Sequence, residues 1–207
     1  MAGGATLGGN GTIIGPVTVN AGGALAPGNP LGALTISNHL TLAAGSTTFV
    51  QVQPSPLTND AVKISGTLTE GGTLNVTNIG VTALTNGDSF KLFKATSYAG
   101  SFAGFVLPLL TGKLVWNTHT LNNSGTLSVV MLTPPNIASL NIAGGKLVIN
   151  GSGGVNGWPF VLLASTNLAA PQWTPVATNQ FDPTGGFNLT NAVSPDSPMT
   201  FYKLQLN

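Results

Sequence analysis

At 207 residues the chain is long enough for one large domain or two small ones. Only 5% of its residues are charged, and its net charge is +1, where an ordinary globular domain carries about 25% charged residues. Its six basic residues are all lysines, scattered at Lys63, Lys91, Lys94, Lys113, Lys146 and Lys203, which excludes the clustered, arginine-bearing surface of a nucleic-acid binder. With no cysteine, disulfides and thiolate metal sites are excluded as well. No apolar run approaches the roughly 20 residues of a membrane-spanning helix.

The 28 glycines and 14 prolines favour tight turns between strands and disfavour helices. Met1 is followed directly by Ala2-Gly3-Gly4, with no basic segment or apolar core of an export signal. The sequence also opens within a repeat, so upstream repeats and an upstream export signal are expected. Thr18-Val19-Asn20-Ala21-Gly22-Gly23-Ala24 recurs as Thr41-Leu42-Ala43-Ala44-Gly45-Ser46-Thr47, and again as Thr67-Leu68-Thr69-Glu70-Gly71-Gly72-Thr73. Each copy is a short alternating strand, a glycine turn and a second strand. Strand-rich units at such spacing predict a β-helix, in which every coil completes its core by stacking on its neighbours.

Gly9-Asn10-Gly11-Thr12-Ile13, Val17-Thr18-Val19 and Gly22-Gly23-Ala24-Leu25-Ala26-Pro27-Gly28 resemble the autotransporter-associated β-strand repeat of large bacterial surface proteins. Leu34-Thr35-Ile36 and Leu40-Thr41-Leu42-Ala43-Ala44-Gly45-Ser46 continue the likeness. The segments Phe90-Lys91-Leu92-Phe93, Tyr98-Ala99-Gly100-Ser101-Phe102, Leu114-Val115-Trp116 and Gly125-Thr126-Leu127-Ser128-Val129 are similar to the stretch that closes such arrays. The resemblance covers roughly residues 3–130. It implies a right-handed parallel β-helix that is exported and often adhesive. The membrane-inserting barrel of autotransporters has no counterpart in this chain.

Met131-Leu132-Thr133-Pro134-Pro135-Asn136 reads as a linker, because paired prolines hold the chain extended and cannot donate to a sheet. Beyond it the repeat disappears. Leu140–Ile142 and Lys146–Asn150 flank Gly144-Gly145, a hairpin signal. Phe160-Val161-Leu162-Leu163 is a continuous apolar run suited to a central strand, and Trp173–Ala177, Phe187–Thr190 and Phe201–Leu206 add three more. This spacing predicts a small antiparallel β-sandwich over 137–207. The segment also resembles a C-terminal module found on large secreted proteins of environmental bacteria, to which no reaction is attached.

Gly87-Asp88-Ser89-Phe90 resembles the nucleophile motif of GDSL-type hydrolases. A nucleophilic serine needs a base, itself oriented by a third group. That family supplies them as Asp-x-x-His on an α/β fold, and neither His39 nor His119 stands in such a context. The favoured reading is a turn at Asn86-Gly87-Asp88 before a strand.

A carbohydrate-active site needs two carboxyls. The chain has five acids: Asp60, Glu70, Asp88, Asp182 and Asp196. Asp60 and Glu70 fall near successive turns and are the pair to consider, although all five read more simply as solvated turn residues. Calcium would want 6–8 oxygen ligands, and His39 with His119 would need further partners to hold a transition metal. No metal and no cofactor are expected. Trp158, beside the glycine-rich Gly153–Gly157, is the candidate sugar platform; Trp116 and Trp173 lie in alternating strands and suit a core.

The reading is all-β: the end of a right-handed parallel β-helix and its cap over 1–130, a linker over 131–136, and a sandwich over 137–207. The expected role is a non-catalytic, secreted or cell-surface structural module of adhesin-like kind, insensitive to salt and mild pH change. It would contact polysaccharide or matrix, and would self-associate through its N-terminal coil. A carbohydrate-binding module is the first alternative. The second is a hydrolase, with Ser89, His119, Asp60 and Glu70 as its candidate residues.

Overall fold

The computed structural model describes residues 2–192 and 199–206; Met1 and Asp196 lie outside the described residues. The chain is all-β and divides into two compact units, Met1–Met131 and Leu132–Asn207.

The first unit is a β-solenoid of about three regular turns followed by an interrupted fourth level. Strands β1 (Thr6–Gly9), β2 (Gly11–Ile13) and β3 (Val17–Val19) form its first level. β4 (Ala24–Pro27), β5 (Ala33–Ile36) and β6 (Leu40–Leu42) form the second. In the third, β7 (Thr47–Pro54) turns back into β8 (Leu57–Asn59) before β9 (Ala61–Ile64) and β10 (Thr67–Glu70). β11 (Thr73–Asn78) starts a fourth level. It is interrupted by an excursion and by β12 (Ser89–Lys91), and resumes with β13 (Phe93–Lys94) and β14 (Ser97–Gly100). Like strands stack in parallel as three faces, in the orders β1-β4-β7-β11, β2-β5-β9-β13 and β3-β6-β10-β14. β15 (Gly104–Val106) then extends the first face.

The strands are short and alternate, so every second side chain points inward. Parallel register sets each inward side chain on its equivalent above and below. Leu7, Leu25, Thr48, Leu74 and Phe105 are in register on one face. Ile13, Ile36 and Ile64 align on the second, and Val17, Leu40, Leu68 and Tyr98 on the third. Leu25, Ile36, Leu40, Leu68 and Leu74 are fully buried. Each is worth roughly 1.5–3 kcal/mol of burial.

The third face corrects the repeat spacing read from the sequence. The first two copies align as expected, Thr18 on Thr41, but Thr41 pairs with Thr69 rather than Thr67. Four residues, Ala43–Ser46, separate β6 from β7, whereas Gly71 and Gly72 alone separate β10 from β11. A Cβ at Gly71 would stand 2.3 Å from Leu42 O, and at Gly72, whose φ is +64°, 2.1 Å from Ser46 O. Only glycine fits this shortened corner.

Beyond β15 the stacking ends. β16 (Leu114–Asn117), helix α1 (Leu121–Ser124) and β17 (Thr126–Met131) close the unit, with β12, β17 and β16 forming an antiparallel sheet in that order. Phe90, Leu121, Leu127 and Val129 carry the solenoid core into this cap. Leu92 N–H and Phe93 N–H both donate to Gly125 O at 3.0 Å.

The second unit holds two three-stranded antiparallel sheets. One has the order β18 (Asn136–Ala143), β19 (Lys146–Ser152), β22 (Phe187–Ala192); the other is β21 (Thr174–Gln180), β20 (Pro159–Ser165), β23 (Phe201–Leu206). Gly144 and Gly145, both at positive φ, make the two-residue turn from β18 to β19, the geometry hairpin twist prefers. The apolar run at Phe160 lies in the central strand of its sheet. Phe160 meets Phe181 at 4.5 Å and Phe187 at 5.3 Å between ring centroids, at the centre of a core shared by both sheets.

The inward ladder makes two substitutions informative. Thr48, between Leu25 and Leu74, is 1% exposed, and its hydroxyl has no hydrogen-bond partner. Thr48→Val keeps the shape and removes that polar group, so it should stabilise the first unit by about 1 kcal/mol. Leu25→Ala, one level away, should cost about 2–5 kcal/mol. Urea denaturation of both variants beside the parent chain checks the contrast in sign.

Candidate functional site

The shortened corner decides where Glu70 points. Two residues after inward Leu68, Glu70 occupies the inward position that Leu42 takes two residues after Leu40. It is 4% exposed, and its Oε1 accepts no hydrogen bond. Burial pushes its carboxyl up to about 7. Loss of hydration disfavours the charged form.

The cap supplies the other half of the site. Asn117, 2% exposed, ends β16, and its Oδ1 accepts from His119 N–H at 3.1 Å. Thr120 Oγ1 donates to Thr126 O at 2.8 Å, and Gly125 N–H donates to Leu121 O at 2.7 Å. These bonds fold residues 117–126 over the end of the solenoid, with Leu121 inserted into the core. The result is a cavity of about 220 Å3, lined by Glu70, Thr118 and His119 together with Ser101, Phe102 and Phe105. Desolvation moves the His119 imidazole below its usual range, which favours the neutral ring at pH 7. The site therefore pairs a carboxyl that titrates near neutrality with a neutral imidazole.

Asp60 lies elsewhere, in the corner before β9, and is 1% exposed. Its Oδ1 accepts from Gly32 N–H at 3.0 Å and its Oδ2 from Gln51 N–H at 2.9 Å. The carboxylate thus staples two levels of the solenoid. Desolvation raises its pKa, against the lowering effect of those two bonds. Asp60 lines a different cavity, of about 420 Å3, walled by Pro27, Phe49 and Thr77 among others. Both residues depart from the expectation of solvated turn acids. The first fills a backbone-capping role, and the second sits in a strand because its corner is two residues short.

Ser89 is exposed on β12, paired with Ser128. The preceding Asp88 accepts from Thr85 N–H at 2.8 Å, the self-bonded turn expected of Asn86-Gly87-Asp88. His39 accepts a hydrogen bond at Nδ1 from Thr67 N–H at 2.9 Å. Asp182 is likewise a turn residue: bonds from the Thr184 hydroxyl, Gly186 N–H and Thr184 N–H hold its carboxyl below the usual range. Trp158 is half-buried against the core of the second unit. Trp116 packs on the first core, with Nε1 donating to Pro108 O at 2.9 Å. Trp173 carries Lys203 Nζ 4.6 Å from its ring centroid.

No protein-family model and no curated protein matches this chain. Among the described residues, no group of three or more His, Asp or Glu is placed to hold a metal ion, and no helix is long and apolar enough to cross a membrane.

The pH expectation changes at Glu70. Its pKa is raised on folding from 4.5 to about 7, so its contribution is fully present below pH 4.5 and is lost as pH rises through 7. Partial solvation reduces the effect to on the order of 2 kcal/mol. Thermal unfolding of the parent between pH 5 and 8 should show this loss, and Glu70→Gln should flatten it.

Proposed function

We propose that this chain is a non-catalytic structural module of a bacterial surface or secreted protein, built on autotransporter-associated repeats and adhesin-like in role. The observation that carries the reading is the parallel register of three stacked faces, from Leu7 to Phe105, Ile13 to Ile64 and Val17 to Tyr98. Such stacking makes a rigid rod segment. Two of the residues a hydrolase would need serve the architecture: Asp60 accepts two backbone N–H groups, and Ser89 follows a self-bonded turn. The repeat motifs quoted above support the extracellular setting. With 5% charged residues, the module's stability rests on backbone pairing and apolar ladders, which salt does not screen.

A carbohydrate-binding role is the second reading. The half-buried Trp158 ring supports it only through whatever edge it presents beside Gly153–Gly157. Purified protein should not be depleted by insoluble polysaccharides or cell-wall material, and should not hydrolyse short-chain esters. Selective depletion abolished by Trp158→Ala would establish the carbohydrate role instead, and ester turnover lost on Ser89→Ala would establish a hydrolase.

Self-association through the first level is supported by its edges. β1, β2 and β3 each pair on one side alone, with β4, β5 and β6, and open backbone edges recruit strands. Light scattering over a concentration series should show a dimer. A Pro at Thr12, on the edge strand β2, should shift it to monomer.

A further inference from the structure

The cavity between β10 and the cap carries a feature that the structural role does not use. Glu70 is an acid at an inward ladder position, 4% exposed, with Oε1 unpaired. No lysine lines the cavity among the described residues; its titratable groups are Glu70 from β10 and His119 from the loop after β16. A buried carboxylate without a cation is unfavourable, so it either takes up a proton or binds a positive charge. The walls suit the second course. Phe102 and Phe105, 6.1 Å apart between centroids, present ring surface to the same space, and aromatic faces attract ammonium groups. A hard metal ion wants six or more oxygens, whereas this cavity offers a single carboxylate. Its volume of about 220 Å3 holds a short alkyl chain with its head group.

We propose that this cavity is a binding site for a primary alkylammonium group, with the ammonium donating to the Glu70 carboxylate and the alkyl chain lying against Phe102 and Phe105. The ligand is charged up to a pH of about 10, so the carboxyl sets the pH dependence. Glu70 ionises near 7. Affinity should therefore rise about tenfold per pH unit below 7 and level off above it, with a proton released on binding. Desolvation moves the His119 imidazole below its usual range, which lessens the opposing charge it adds as pH falls.

The test is a titration of the whole chain with n-butylammonium, followed by amide chemical shifts, with n-butanol as the neutral isostere. n-Butylammonium at up to roughly 50 mM should shift the amides of Glu70, Ser101 and His119 saturably, and n-butanol should leave them in place. Glu70→Gln should abolish the response while keeping the parent's fold by its amide spectrum. Phe105→Leu, which keeps bulk and removes the ring, should weaken binding several-fold and decides the matter if Glu70→Gln does not fold. Equal binding of n-butanol, retained binding in Glu70→Gln, unchanged affinity in Phe105→Leu, or no saturable shift would each overturn the proposal. An affinity that falls as pH rises from 6 to 8 would do so too.

Discussion

Parallel register between successive levels is the constraint on which the first unit depends. A short strand alone buries almost nothing, and its backbone edges are unsatisfied. Stacked in register, it gains hydrogen bonds on both edges and a matching side chain above and below. The column Leu7, Leu25, Thr48, Leu74, Phe105 and the column Val17, Leu40, Leu68, Tyr98 are the visible outcome. Corners are free to vary in length as long as the strands return to register. Hence β7 can run on into a hairpin with β8, and the corner after β10 can lose two residues, without breaking a column.

That freedom explains what the sequence did and did not disclose. Alternation at Leu34–Ile36 and Leu40–Leu42, the hairpin at Gly144-Gly145 and the apolar run at Phe160 are local patterns, and the strands stand where they read. The third repeat copy stands two residues from where sequence likeness puts it, because Glu70-Gly71-Gly72 resembles Ala21-Gly22-Gly23. Only the pairing of Thr69 with Thr41 shows that Glu70 belongs to the strand and not the turn. The signal that could have found it is the pair Leu68 and Glu70 read as Leu40 and Leu42, at the cost of a shorter corner. The meeting of Glu70 with His119 had no local signal at all. It depends on the cap folding residues 117–126 back across the end of the solenoid.

The position of the cavity follows from the same constraint. Regular stacking leaves no room beside an inward side chain, since the next level fills it. At the last levels the column gives way to irregular chain: Gly100 pairs with Glu70 and offers no side chain, and the loop carrying Thr118 and His119 covers the gap. An acid can persist at an inward position there, because the space beside it is a cavity and not the side chain of a next level. The same loss of regularity that ends the repeat also makes chemically distinctive space.

The two ends of the solenoid differ in kind. At one, β1, β2 and β3 have free edges; at the other, α1 lies against β13 and β14, and the antiparallel sheet of β12, β17 and β16 continues the core. The last level therefore buries Phe90 and Leu121 with side chains of its own chain, and its core needs no further repeat stacked upon it.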